Sequence, residues 1–300
     1  MTSRFSSPAV RRLVGAFIAG AAMSVAFASA ARAEAPAFTE EYVAKAAAAS
    51  GYSEQAIRAL LRQAEVQPRI IELMNKPAEK AMTWNTYYTR VITQERIDAG
   101  REFMATYADT LAKAEATYGV PKEIISAIIG IETKYGAIKG NYRVLDSLST
   151  LAFGYPRRAA FFQKELTAFL TLAKEGNVDP LTTKGSYAGA LGWPQFMPSN
   201  VSKLATDFNG DGKIDLVNSP VDAIGSVAKY FSENGWKTGG PVSMALPSAE
   251  GSNLEMEGAD GPVYFKTEDN FKAIKRYNKS NLYAMAVYLL SEQLRTPAAK

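Results

Sequence analysis

Apolar residues recur at helical spacing along most of the chain, and only one stretch alternates as a strand would. Thr39-Glu40-Glu41 and, after Gly51, Ser53-Glu54-Gln55 read as openings of short helices within residues 38–80. Thr93-Gln94-Glu95-Arg96 has the capping-box form and predicts a long helix from Thr93 to Tyr118, ended by Gly119. Pro121 then starts a helix that runs to about Tyr135 and stops at Gly136. Residues 157–175 carry an apolar stripe of Phe161, Phe162, Leu166, Phe169 and Leu170. Residues 176–220 are rich in Gly, Pro, Asn and Asp and read as loops. A helix resumes from Pro220 to Glu233, and a last one covers residues 281–294. Residues 239–270 alternate weakly, which predicts a small irregular or β-containing excursion. The fold class expected is mostly α, with minor β (α+β).

Residues 1–33 stand apart. Arg4, Arg11 and Arg12 precede an apolar run over residues 13–28, and Ala31-Arg32-Ala33 follows. This is the form of a secretory signal peptide, with cleavage expected after Ala33 and Ala30 as the alternative. A membrane anchor is the weaker reading, because the apolar run is only marginally long enough to span. Arg11-Arg12 leaves the export route open between the general and twin-arginine pathways. The mature chain, residues 34–300, divides into a helical part over about 38–117 and a core over about 118–240. The excursion, about 241–270, and the last helix follow.

The leader also changes the charge. The chain has 34 basic and 30 acidic residues, and residues 1–33 hold four of the arginines and no acid. The remainder is formally neutral, so nucleic-acid binding loses its compositional support. With no second apolar span, the mature chain is expected to be soluble, without a stable membrane anchor, in the periplasm.

Two residue types are missing altogether: the chain has no Cys and no His. That excludes thiol nucleophiles, Ser-His-Asp triads and His- or Cys-ligated zinc. An amidase or endopeptidase is hard to build from what remains. Carboxylates, Tyr and Lys suit glycosidic-bond cleavage better.

The helix after Pro121 holds the candidate carboxylate. Ile125, Ile128 and Ile129 share a face, and Glu132 falls on the same stripe. Apolar surroundings disfavour the charged form and would keep Glu132 protonated as a general acid. The competing reading is a helix-end Glu paired with Lys134 or a distant Arg. Gly130, a poor helix former, would let another element approach closely. Asp146 reads as structural and Glu165 as part of the polar face of its helix.

Three blocks resemble one family. They are Tyr118-Gly119-Val120-Pro121 through Ile131-Glu132-Thr133, Tyr155-Pro156-Arg157-Arg158-Ala159, and Gly185-Ser186-Tyr187 through Gly192-Trp193-Pro194-Gln195-Phe196-Met197-Pro198-Ser199. Asp222-Ala223-Ile224-Gly225 and Arg276-Tyr277-Asn278 through Tyr283-Ala284-Met285 also match. Across roughly residues 38–295 the chain is similar to the membrane-bound lytic murein transglycosylase B family. No lipobox Cys is present, which departs from the lipoprotein members.

The resemblance implies a lysozyme-like α fold and cleavage of peptidoglycan glycan strands between N-acetylmuramic acid and N-acetylglucosamine. No cofactor is implied for the chemistry. Glu132 would be the single acid and base, and the muramic 6-hydroxyl would close a 1,6-anhydro ring. Ser186 and Gln195 match cleft positions, Tyr87 and Tyr277 line the cleft, and Asn278 bonds an N-acetyl group. Arg157 and Arg158 match positions that contact the peptide stem or lactyl carboxylate. Plainer roles stay open: packing for the two tyrosines, a loop hydrogen bond for Gln195, a solvated helix start for the arginines. The rivals for the whole chain are a hydrolytic muramidase and a non-catalytic peptidoglycan-binding protein. Protein partners are not legible.

One further motif is metal-like. Residues 207–215 put Asp207, Asn209, Asp211, Lys213 through its carbonyl, and Asp215 at calcium-loop positions, with Gly212 between. Asn218 replaces the usual final Glu, and Asp222 is expected to close the site. The expectation is a structural Ca²⁺, with an Asx-rich turn as the alternative.

Overall fold

The computed structural model describes residues 35–76 and 82–296. The leader assigned to residues 1–33 lies outside them. Among the described residues no helix is long and apolar enough to cross a membrane.

The predicted short helices are present, with their caps. The Thr39 hydroxyl accepts the Tyr42 N–H and opens α1 (Glu40–Ser50), which Gly51 ends at φ 75°. Ser53 caps α2 (Glu54–Leu61) in the same way. Next come α3 (Pro68–Asn75) and α4 (Trp84–Val91). The long helix expected from Thr93 is two helices, α5 (Gln94–Thr106) and α6 (Ala108–Tyr118), broken at Tyr107. Thr93 does accept the Arg96 N–H, but an Arg at the third position cannot return a bond, so only half the box forms.

Beyond Pro121 lies α7 (Lys122–Thr133), with Ile124, Ile125, Ala127, Ile128 and Ile129 buried on all sides. The chain continues through α8 (Val144–Gly154), α9 (Ala159–Lys174), α10 (Pro198–Leu204), α11 (Pro220–Glu233), α12 (Asp269–Tyr277) and α13 (Asn281–Arg295). α13, α5, α6 and α11 pack around α7. This explains the break at Tyr107, because α5 lies mainly on α7 and α13 while α6 lies mainly on α11. Tertiary contacts set that boundary, with neither Gly nor Pro present.

The excursion forms an antiparallel sheet of β3 (Ser243–Leu246), β4 (Leu254–Gly258) and β5 (Gly261–Thr267), ordered β3-β5-β4. Two residue pairs earlier in the chain, β1 (Tyr142–Arg143) and β2 (Lys184–Gly185), also pair antiparallel. They join the segment after α7 to the loops before α10.

Two side-chain expectations are corrected. Phe161 is 37% exposed and lies under the Arg158 guanidinium, 4.3 Å from its ring centre, outside the core stripe. Glu165 is buried, and its carboxylate accepts the Ser199 N–H (2.9 Å) and hydroxyl (2.8 Å) at the start of α10. A negative group at a helix N-terminus satisfies donors the helix cannot. Asp146 is structural as expected: it pairs with Arg143 at 2.6 Å and accepts the Glu65 N–H.

Gly130 is explained by a neighbour. A Cβ built there would lie 2.4 Å from Cζ of Tyr135, whose ring folds back beneath α7. Gly130→Ala gains about 1 kcal/mol of helix propensity. Overpacking against a ring wedged beside Gly100 costs about 1–3 kcal/mol. The expected net is a loss of about 1 kcal/mol in urea unfolding; a more stable variant would show that the ring yields.

Candidate active site

The end of α7 is pinned where Glu132 emerges. The Thr133 hydroxyl lies 3.1 Å from both the Ile129 and Trp193 carbonyls and accepts the Gly136 N–H. Lys134 and Tyr135 take left-handed φ values of 49° and 55°, which reverse the chain sharply. Half-buried Glu132 thereby enters a cavity of about 270 Å³. Met82, Val91 and Ile131 supply the apolar lining, and Tyr87, Arg90, Asn278 and Tyr283 the polar lining.

One partner of Glu132 is a residue the sequence reading leaves without a role. Tyr283, in the first turn of α13, donates its hydroxyl to Glu132 Oε1 at 2.6 Å. Burial, then the nearby Glu132 charge, holds that phenol well above its ordinary range, so it stays a donor. A donor bond favours the ionised carboxylate, whereas burial favours the protonated one. The two influences on the Glu132 proton oppose each other.

Of the expected substrate residues, Tyr87 and Asn278 line this cavity. Tyr277 sits behind it, parallel to Tyr283 with ring centres 6.4 Å apart, and donates to the Pro194 carbonyl at 2.5 Å. Burial raises its phenol as well. Gln195, at φ 50°, donates to the Lys139 and Gly192 carbonyls and fixes the loop below α7. Ser186 accepts the Ala188 and Ala190 amides in a tight turn. Neither lines the Glu132 cavity, nor do Arg157 and Arg158, which lie in the short turn Pro156–Arg158 and are exposed. A larger hollow of about 430 Å³, lined by Lys139, Asp179, Lys184 and Asp215, does not include Glu132.

This arrangement has relatives. A family model described as the transglycosylase SLT domain matches residues 35–257 and 245–292. The chain belongs to the transglycosylase SLT family. It is 37% identical over 294 residues to the membrane-bound lytic murein transglycosylase B of Escherichia coli (strain K12), covering 84% of this chain and 81% of that one. It is similar to the crystal structure of soluble lytic transglycosylase SltB1 from Pseudomonas aeruginosa, with TM-score 0.79 and 41% identity over 85% of this chain and 97% of that one. The Escherichia coli lytic transglycosylase Slt35, solved in complex with calcium, matches with TM-score 0.79 and 36% identity, covering 88% and 96% of the two chains. The mostly helical fold is the lysozyme-like one of these enzymes.

In this SLT-family chain the acidic loop before α11 is held by its own amides. Asp207 accepts the N–H groups of Gly210, Asp211 and Gly212, and the Gly212 bond above all holds its carboxyl below the usual range. Asn209 and Asp211 accept amides two residues on, and Asp215 accepts those of Val217 and Asn218. Asp222 departs from the ligand role expected of it. It is fully buried and accepts the amides of Phe208, Asn209 and Asp215, bolting the loop to α11 from behind. Among the described residues no group of three or more carboxylates stands together as a metal cage. The Asp207–Gly212 bond nevertheless gives the loop the turn that a calcium loop requires.

Proposed function

We propose that this chain is a peptidoglycan lytic transglycosylase that breaks the N-acetylmuramic acid–β-1,4–N-acetylglucosamine bond, with Glu132 as its single acid and base. One observation carries the reading. Among the described residues Glu132 is the only carboxylate lining its cavity. Asp146 and Glu165, the alternatives, are engaged with Arg143 and Ser199. A hydrolase ordinarily needs a second carboxylate to attack or to activate water. An internal nucleophile, the muramic 6-hydroxyl, removes that need.

Protonated Glu132 gives its proton to the leaving oxygen as the glycosidic C–O bond breaks. The resulting carboxylate takes the proton of the 6-hydroxyl as O6 bonds to the anomeric carbon. The acid is regenerated and no water is consumed. Tyr283 steadies the carboxylate between the two transfers. Tyr87 and Asn278 meet the sugar, while Gln195, Ser186 and Tyr277 fix the loops beneath it. The chemistry needs no cofactor. The substrate lies outside the cytoplasmic membrane, so the chain works in the periplasm, exported by residues 1–33. Asp207, Asn209, Asp211, Asp215 and the Lys213 carbonyl would hold a structural Ca²⁺ if the loop draws its carboxylates together; calcium titration with neither heat nor a rise in Tm would refute that part.

Mass spectrometry of muropeptides released from purified sacculi tests the reaction. Products one water lighter than their reducing counterparts are expected. Reducing ends would mean a muramidase, and no release with retained sacculus binding would mean a binding protein.

Tyr283→Phe removes the donor to the ionised carboxylate. Glu132 then holds its proton more tightly, so the alkaline limb of kcat/KM moves to higher pH. An unmoved limb would show that the hydroxyl does not act on Glu132.

A further inference from the structure

The chain reverses directly after Glu132, on residues that resist the reversal. Lys134 and Tyr135 take left-handed φ values of 49° and 55°, a conformation that glycine adopts freely and other residues do not. Such residues persist where the surrounding structure over-determines them, and they gather at functional sites. Here the reversal carries the Tyr135 ring back beneath the last turns of α7.

The ring enters a socket made by two helical glycines. A Cβ at Gly130 of α7 would lie 2.4 Å from Cζ of Tyr135, and one at Gly100 of α5 would lie 2.3 Å from its hydroxyl oxygen. The Cβ at Gly100 would also lie 2.6 Å from Cδ2 of Leu294 on α13. Phe103 of α5 closes the side, with ring centres 5.3 Å apart. α5, α7 and α13 therefore meet at one ring, and two helices give up propensity to admit it.

The Tyr135 hydroxyl is buried without a hydrogen-bond partner. Burial raises the phenol above its ordinary range, so it stays neutral. The ring therefore acts through its shape, and its shape fixes the turn that carries Glu132. That carboxylate meets the Tyr283 hydroxyl of α13 at 2.6 Å. A displacement of about 1 Å would open the bond beyond hydrogen-bond reach.

We propose that Tyr135 is a positioning residue: its ring, wedged between Gly100 and Gly130, sets the end of α7 so that Glu132 meets both Tyr283 and the glycosidic oxygen. The proposal rests on the glycan-cleaving reading above.

Release of anhydro-muropeptides from soluble glycan strands, followed against substrate concentration and pH, tests it. Tyr135→Leu keeps an apolar side chain but loses the ring. It is expected to lower kcat on the order of 10- to 100-fold, as for a small misplacement of a catalytic group, with KM little changed. The alkaline limb of kcat/KM moves to higher pH, because Glu132 loses a donor that favours its ionised form. In a Tyr283→Phe background the same substitution moves the limb no further. Tyr135→Phe keeps the ring, so it restores kcat, and it loses no stability because the deleted hydroxyl has no partner. Should Tyr135→Leu fail to fold, Gly100→Ala carries the test: it presses on the ring from α5, leaves α7 unaltered, and is expected to lower kcat and move the limb in the same direction. An unmoved limb, or a loss of kcat no larger than the loss of folded protein, would reduce the ring to packing and overturn the proposal. So would a Tyr135→Phe variant as slow as Tyr135→Leu, which would give the role to the hydroxyl. A wild type that releases no anhydro-muropeptides would bring down the transglycosylase reading, and the proposal with it.

Discussion

Glu132→Gln lowers the rate of anhydro-muropeptide release by about 10³-fold or more while binding to sacculi persists. General acid–base catalysis by one group is worth about 10²–10⁴-fold. In the proposed reaction the same group serves both halves, which places the loss at the upper end. The amide keeps the shape of the side chain and still accepts the Tyr283 hydroxyl, so the cavity survives. What disappears is only the exchangeable proton. Release quantified by mass spectrometry, beside a sacculus pull-down, separates the two properties. A variant within tenfold of wild type would mean that another group carries the proton. Asp146 and Glu165 would have to leave buried bonds to do so.

α7 was legible because its signals agreed: a proline start, an isoleucine face, a glycine stop and a carboxylate in register. α8 and α12 were not. α8 is buried nearly all round, so it has no polar face for a periodicity to reveal. α12 is only nine residues long and follows strand directly. Glu165 was misread because a buried carboxylate and a surface one look alike in sequence. What separates them is Ser199, thirty-four residues away.

The site shows the same limit. Glu132 and Asn278 belong to matched blocks and Tyr87 to a single matched position, and the three meet in one cavity. Tyr283 lay inside a matched block without a role, because its bond to Glu132 crosses 151 residues.

Asp222→Ala is the stability counterpart of Glu132→Gln, with an expected loss of about 3–5 kcal/mol in urea unfolding. The wild-type carboxylate is inaccessible to solvent and satisfies three backbone amides, those of Phe208, Asn209 and Asp215. Removing it strands those donors against α11, where a Cβ at Gly225 would already meet the Phe208 ring at 2.3 Å. Each stranded donor costs about 1–3 kcal/mol, less where water reaches it. Asp222→Asn keeps one good acceptor and should lose about half as much. The damage extends toward the site, because the Leu216 carbonyl accepts the Trp193 N–H and packs against Gly192. Trp193 in turn receives Thr133, the residue that pins the end of α7 beside Glu132. Asp222→Ala should therefore lower kcat even where enough protein stays folded. A loss under about 1 kcal/mol would mean that water satisfies the freed amides, and that the acidic loop is not what holds the catalytic helix end in place.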